Sequence, residues 1–158
     1  MELILTNGHD PRFAEMCREL DQYLNELVGG EAQRSHYNQY NTPAKVTDVL
    51  LLMDGKQAAA CGGFKFYEAG TAEIKRVLTR PQYRGRGYAR AVMAALEERA
   101  IAQGYTRLIL ETGRMMASAI GLYTAIGFRI IENYGQYKGM EQSVCLEKML
   151  AASGPKTE

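Results

Sequence analysis

One stretch of the sequence decides the fold: Arg80-Pro81-Gln82-Tyr83-Arg84-Gly85-Arg86-Gly87-Tyr88-Ala89. It lies between a segment typical of a strand, residues 71–78, and an amphipathic helix that begins after it and ends near Gly104. Glycines in such a loop let the backbone turn tightly and bring N–H groups close to an anion, and the helix start adds unpaired N–H groups. The two arginines Arg84 and Arg86 supply charge suited to phosphate oxygens. The stretch therefore predicts a diphosphate site.

Two familiar diphosphate-binding patterns do not fit this loop. A P-loop needs GxxxxGK[ST], and the sequence contains no such run. A dinucleotide-binding fingerprint needs a third Gly or Ala, and Arg90 stands at that position after Gly85-x-Gly87. An ordinary helix entry with solvated arginines is the alternative interpretation.

The hydrophobic period changes along the chain. Residues 3–6 read as a strand, and Asp10-Pro11 predicts the start of a helix that ends at Gly29-Gly30. One face of that helix is expected to pack inward, through Phe13, Met16, Leu20, Leu24 and Leu27. Residues 31–40 read as a short polar helix or a loop. Further strands are predicted over residues 49–53, 57–66, 71–78, 107–111, 128–131 and 143–149, with a helix over 116–126.

This order of elements predicts a single α/β (α+β) domain over residues 1–150, followed by a flexible tail over 151–158. The first three of those later strands, with a turn at Asp54-Gly55, read as an antiparallel meander. With 158 residues, of which 46% are hydrophobic and 23% charged, the chain can fill one core and has little room for a second domain.

Charge and cysteine content exclude several classes of function. The formal net charge of +1 gives no field that would recruit nucleic acid or an anionic membrane. Cys17, Cys61 and Cys145 are odd in number and form no CxxC pair, so neither a disulfide framework nor a metal site is predicted. The sequence shows no signal peptide and no apolar run long enough for a membrane span, so a cytoplasmic protein is the expectation.

Four segments, in the same order along the chain, resemble the GNAT superfamily of N-acetyltransferases. Residues 82–87 match its Q/R-x-x-G-x-G/A signature, and residues 72–78 and 108–112 resemble the strands on either side of that loop and helix. Residues 119–128 resemble the motif A-x-x-L-Y-x-x-x-G-F. The resemblance spans about residues 48–150 and implies a mixed, twisted, mainly antiparallel sheet flanked by helices. It departs at Met116, where many relatives carry an Asn that contacts the cofactor.

The resemblance implies an acyl-CoA-dependent N-acyltransferase with acetyl-CoA as co-substrate. Backbone groups of Val77 and Thr79, with Leu78 between them, are then expected to bind the pantetheine arm. The CoA pyrophosphate is expected to be held by main-chain N–H groups of Arg84, Gly85, Arg86, Gly87, Tyr88 and Ala89. An amine would attack the thioester directly in a ternary complex, so that no protein nucleophile is needed.

Two side chains are candidates for proton transfer. Tyr123 stands where the resemblance places the acid that protonates the leaving thiolate, and a phenol is close to a thiol in acidity. Glu73 is the candidate base that accepts the amine proton, with Glu111 as a weaker alternative that could orient a cationic acceptor. The alternatives are a packing role for Tyr123 and an ion pair of Glu73 with Lys75 or Arg107.

A small-molecule primary amine is the predicted acceptor. The polar residues expected near it are Asp21, Glu26, Glu31, Arg34, His36, Tyr37, Asn38, Tyr40 and the loop Tyr134-Gly135-Gln136-Tyr137. A protein or peptide acceptor, or a non-catalytic acyl-CoA sensor, are the alternatives that the sequence leaves open. Family members often dimerise through the C-terminal strands, so a homodimer stays open as well.

Overall fold

A computed structural model of the protein describes residues 1–27 and 42–151. Within these residues the helices are α1 (Pro11–Leu27), α2 (Tyr88–Ala102) and α3 (Ala117–Ala125). The strands are β1 (Glu2–Thr6), β2 (Asp48–Asp54), β3 (Gln57–Glu68), β4 (Thr71–Thr79), β5 (Arg107–Gly113), β6 (Arg129–Ile131) and β7 (Ser143–Met149). Every strand predicted from the sequence is present, and no end differs from the prediction by more than two residues.

The seven strands form one mixed sheet in the order β1-β2-β3-β4-β5-β7-β6. β1 with β2, β2 with β3, β5 with β7, and β6 with β7 are antiparallel, while β4 and β5 are parallel. The predicted fold class, an α/β mixed and mainly antiparallel sheet with flanking helices, is confirmed. The chain divides into two compact units, and the predicted bounds of a single domain over residues 1–150 stay a prediction.

The first unit comprises Met1–Lys65 and Lys75–Leu96. Its core joins one face of α1 to one face of β2, through Phe13, Met16, Cys17, Leu20, Val49, Leu51 and Met53. Asp10 starts α1 as predicted, because its carboxylate accepts the N–H of Arg12 at 2.9 Å. Of the two remaining residues predicted on this face, Leu24 is partly buried against the core, whereas Leu27 is 41% exposed and does not pack inward.

Glycine at position 62 lets α2 approach β3 closely. A Cβ atom there would lie 3.0 Å from Val92 Cγ1 and 3.1 Å from Leu96 Cδ1. Any larger residue would therefore require these side chains to shift. The close approach helps to place α2, which the glycine- and arginine-rich loop leads into.

The second unit comprises Phe66–Ile74 and the described residues from Glu97 onward. Its core consists of buried side chains from β5 and β7, with Phe128 after α3: Leu108, Ile109, Leu110, Cys145 and Leu146. Gly127, at a φ of 109°, ends α3 where the sequence predicts it. The three cysteines are free and buried. No helix among the described residues is long and apolar enough to cross a membrane.

Candidate functional site

The glycine- and arginine-rich loop connects β4 to α2 in the first unit. Residues Pro81–Tyr83 form a single 3₁₀ turn, and α2 begins at Tyr88. Gly85 and Gly87 have φ values of 80° and 81°, a left-handed backbone that residues with a side chain adopt only at a cost. The sequence therefore places glycine where the turn requires it.

This loop presents a row of unused backbone donors. Within the part of the chain that the structure describes, no hydrogen bond occupies the N–H groups of residues 85–90. The first helical bond runs from the N–H of Ala91 to the carbonyl oxygen of Gly87, at 3.0 Å. Unpaired donors at a helix start, together with the positive end of the helix dipole, suit a diphosphate.

Contacts to the β2–β3 hairpin and to α1 hold both ends of the 3₁₀ turn in place. The N–H of Arg80 donates to the carbonyl oxygen of Ala59 at 2.9 Å, and its guanidinium binds the Glu19 carboxylate at 2.6 and 2.9 Å. The hydrogen bond from Arg80 lowers the pKa of that carboxyl. The Tyr83 hydroxyl donates to Asp54 at 2.7 Å. Local sequence patterns do not reveal these anchors, since the partners lie between 21 and 61 residues away.

The two loop arginines lie against tyrosine rings. The guanidinium carbon of Arg84 is 5.3 Å from the centre of the Tyr23 ring, and that of Arg86 is 5.7 Å from the Tyr83 ring. Both side chains are exposed, so they can turn toward an anion at little cost. Arg84 Nε also donates to the Thr79 carbonyl oxygen at 3.3 Å, one of the backbone groups predicted to bind pantetheine.

Side chains at the end of β4 point alternately to the two faces of the sheet, as in a regular strand. Leu78 is buried in the core that α1 covers, whereas Val77 and Thr79 are half-buried on the other face. The Thr79 hydroxyl is buried and has no hydrogen-bond partner among the described residues. All nine residues predicted to bind the cofactor, Val77, Leu78, Thr79, Arg84, Gly85, Arg86, Gly87, Tyr88 and Ala89, lie in the first unit. Their contact with a cofactor stays a prediction.

Glu73, the predicted base, lies in the second unit and is 1% exposed. It pairs with Ile109 in the β4–β5 ladder, and its Oε2 atom accepts a hydrogen bond from the Tyr134 hydroxyl at 2.7 Å. Arg107, one of the two ion-pair partners considered above, instead binds Glu147 at 2.8 Å. A buried carboxylate with a fixed hydrogen-bond donor has the environment of a positioned base.

Three tyrosines stack edge to face beside this carboxylate. The Tyr134 ring centre lies 5.3 Å from that of Tyr67 and 5.6 Å from that of Tyr137. Burial and the nearby charge of Glu73 raise the pKa of Tyr134, so its hydroxyl remains a donor at neutral pH. The predicted tyrosine-rich loop thus reaches the predicted base. Glu111 accepts a hydrogen bond from the Ser143 hydroxyl at 2.8 Å.

Tyr123, the predicted acid, also lies in the second unit. It is 7% exposed, and its ring meets that of Phe128 edge to face with 5.8 Å between the centres. Burial raises the pKa of the phenol above its ordinary value, so it is protonated at neutral pH. Among the described residues its hydroxyl has no hydrogen-bond partner. No described residue holds its proton, and the raised pKa makes this phenol a weaker acid than an ordinary tyrosine.

Of the polar residues expected near the acceptor, only part can be located. Asp21 lies on α1, where its carboxylate binds Arg76, and Glu26 is in the last turn of the same helix. The remaining residues before Asn41, namely Glu31, Arg34, His36, Tyr37, Asn38 and Tyr40, lie outside the described residues. The predicted helix end at Gly29-Gly30 and the predicted tail, apart from Ala151, lie outside them as well.

Comparison with known proteins connects these features to one family. Residues 13–128 match the model of the acetyltransferase (GNAT) family. An IAA acetyltransferase of Azospirillum brasilense is 32% identical over 139 residues, which is 86% of this chain and 89% of that protein.

Solved structures agree with this match. A Klebsiella pneumoniae protein assigned as an acyl-CoA N-acyltransferase superposes with a TM-score of 0.79 at 28% identity, covering 95% of this chain and 97% of that one. The PaiA N-acetyltransferase of Thermoplasma acidophilum, solved with coenzyme A, gives a TM-score of 0.70 over 94% of this chain and 99% of its own. At 15% identity, the second likeness shows the fold alone.

Proposed function

Because the chain belongs to the GNAT acetyltransferase family and is an acyl-CoA N-acetyltransferase, we propose that it transfers acetyl from acetyl-CoA to the primary amine of a small molecule. The observation that carries this proposal is the row of unpaired N–H groups at residues 85–90. The row begins at the left-handed glycines Gly85 and Gly87 and continues into the start of α2. It fits a diphosphate, and acetyl-CoA carries one next to its pantetheine arm. The Azospirillum relative, an IAA acetyltransferase by name, supports a small molecule as the acceptor.

In this proposal the loop and the end of β4 have separate tasks. The N–H groups of residues 85–89 bind the pyrophosphate, whereas that of Arg84 donates to the Pro81 carbonyl oxygen at 3.3 Å. The backbone of Val77 and Thr79 binds the pantetheine arm. When that arm binds, the hydrogen bond from Arg84 Nε to the Thr79 carbonyl oxygen breaks. Breaking it costs little free energy, because the hydrogen bond is long and exposed to solvent. Acetyl-CoA supplies an activated acetyl thioester.

The chemistry then needs two proton transfers. The Glu73 carboxylate accepts a proton from the amine as its nitrogen bonds to the acetyl carbon. The Tyr123 hydroxyl donates its proton to the sulfur as the carbon–sulfur bond breaks. The Tyr123 phenolate then regains a proton from solvent, which its raised pKa favours. Glu73 releases to solvent the proton that it accepted, so both groups return to their starting state. The products are an N-acetylated amine and free coenzyme A.

A panel of amines tests the proposal. The purified protein is incubated with acetyl-CoA and single small amines, a peptide with a free N-terminus, or a lysine-containing peptide, and released thiol is measured. We expect thiol release with small amines and little with peptides. Release with peptides alone would move the acceptor to a protein. Absence of release with any amine, from protein that binds acetyl-CoA, would contradict the proposed reaction.

A further inference from the structure

Arg76, in the middle of β4, combines two unusual features. It is the one residue other than glycine with a left-handed backbone among the described residues, with a φ of 62°. Its side chain is also a buried cation, 3% exposed. An L-residue with a side chain adopts this backbone only against a steric penalty, so the surrounding contacts must hold it there.

The side chain is held by α1. Nη1 donates to Asp21 Oδ1 and Nη2 to Asp21 Oδ2, both at 2.9 Å, and Nη2 donates as well to the carbonyl oxygen of Cys17 at 3.1 Å. Such a two-pronged ion pair fixes the plane of the guanidinium as well as its position. The ion pair therefore ties α1 to the middle of β4.

The backbone of the same residue is held from the β3 side. The Cys61 thiol donates to the carbonyl oxygen of Arg76, with 3.4 Å between sulfur and oxygen. Burial raises the pKa of this thiol, so it stays protonated and remains a donor. Arg76 is thus fixed both through its side chain and through its carbonyl group.

The position of Arg76 in the chain gives these contacts a function. The residue directly precedes Val77, and the backbone of Val77 and Thr79 is the part of β4 that binds the pantetheine arm in the proposed function. A left-handed residue changes the direction in which the next peptide groups point. We propose that Arg76, held by Asp21, is a positioning residue that sets the backbone at 77–79 for the pantetheine arm of acetyl-CoA. This inference rests on the proposed function.

Two substitutions at one position separate backbone from side chain. Arg76→Ala and Arg76→Gly both remove the guanidinium, but only glycine accepts the left-handed backbone without penalty. If the backbone at this position matters, Arg76→Ala should bind acetyl-CoA about tenfold more weakly than Arg76→Gly in calorimetric titrations. Equal affinity of the two variants would overturn the proposal.

A fragment of the cofactor shows which part of the site is affected. Adenosine 3′-phosphate 5′-diphosphate carries the nucleotide and the diphosphate but no pantetheine. Arg76→Ala should bind this fragment as the unmodified protein does. An equal loss for the fragment and for acetyl-CoA would mean general damage and would overturn the proposal.

Two more variants guard against a failure to fold. If Arg76→Ala does not fold, Asp21→Asn takes its place, because this substitution weakens the ion pair while keeping residue 76 unchanged. The Asp21→Asn variant should lose affinity for acetyl-CoA and not for the fragment.

Glu147→Gln is the control. It removes a buried ion-paired carboxylate in the other unit, and the variant should bind both ligands normally. Binding of acetyl-CoA by none of the proteins, including the unmodified one, would overturn the proposed function and this inference together. Binding by all of them alike would overturn only the inference.

Discussion

At the scale of single residues, the second unit offers one buried carboxylate and one buried phenol for proton transfer. Glu73 has a fixed hydrogen-bond donor in the Tyr134 hydroxyl, whereas the Tyr123 hydroxyl has no such partner among the described residues. A base works best when its carboxylate is held in one orientation, and an acid works best when its proton is available. The two environments therefore match the two proposed roles.

Replacement of Tyr123 by Phe tests the proposed acid. The variant keeps the ring that packs on Phe128 and loses only the proton donor. We expect kcat to fall by about a hundredfold, with the affinity for acetyl-CoA unchanged. Steady-state kinetics and calorimetry measure the two quantities. An unchanged kcat would remove Tyr123 from the mechanism and leave it a packing residue.

Replacement of Tyr134 by Phe tests the orientation of Glu73. The lost hydrogen bond to the carboxylate should lower kcat by about tenfold and leave the affinity for acetyl-CoA as it is. Tyr67→Phe is the matched control. The Tyr67 ring packs on the Tyr134 ring, but the Tyr67 hydroxyl makes no hydrogen bond to Glu73. Both variants keep their rings, so equal effects of the two substitutions would contradict a specific role for the hydrogen bond to Glu73.

At the scale of elements, the loop before α2 depends on conformation and on charge. Gly87→Asp introduces a side chain at a left-handed position and a negative charge beside the proposed pyrophosphate site. Repulsion between the two anions should lower the affinity for acetyl-CoA at least about tenfold. Gly139→Asp is a control of almost the same strain, because Gly139 has a φ of 82° and likewise nothing near its Cβ position. It should bind acetyl-CoA normally, and normal binding by Gly87→Asp would contradict the loop assignment.

Another element-scale feature is the ion-pair network on β7. Glu147 accepts hydrogen bonds from Arg107 on β5 and Arg129 on β6, both at 2.8 Å, so that it links three strands. The hydrogen bond from Arg107 is the main reason that the pKa of Glu147 lies below its ordinary value of 4.5. The folded state therefore binds this proton less readily than the unfolded chain does.

This network predicts the pH dependence of stability. The stabilisation from Glu147 is fully present above pH 4.5 and is lost as the pH falls through the lowered value. Urea unfolding at a series of pH values should show a steeper loss of stability below pH 4.5 in the unmodified protein than in Glu147→Gln. Identical slopes would mean that the network does not contribute.

At the scale of the whole molecule, the sequence predicted what local patterns determine. Every strand, and α2 with its loop, could be predicted from glycine positions, helix-start residues and changes of hydrophobic period. These signals are local, because each lies within a few residues of the element that it predicts. The sequence did not predict the pairs Arg76–Asp21, Arg80–Glu19 and Tyr134–Glu73, whose members are 55, 61 and 61 residues apart. Such pairs form only when the sheet brings distant strands and helices together, and a single sequence carries no signal for them.

The measurement that tests the central claim most directly is calorimetric titration with acetyl-CoA and with S-acetylpantetheine, which lacks the nucleotide and the diphosphate. If the N–H groups of residues 85–89 hold the pyrophosphate, acetyl-CoA should bind about a hundredfold more tightly than S-acetylpantetheine, because the charge-assisted hydrogen bonds are made only by the full cofactor. Equal affinity for the two thioesters, or no binding of acetyl-CoA at millimolar concentration, would contradict the assignment of this loop.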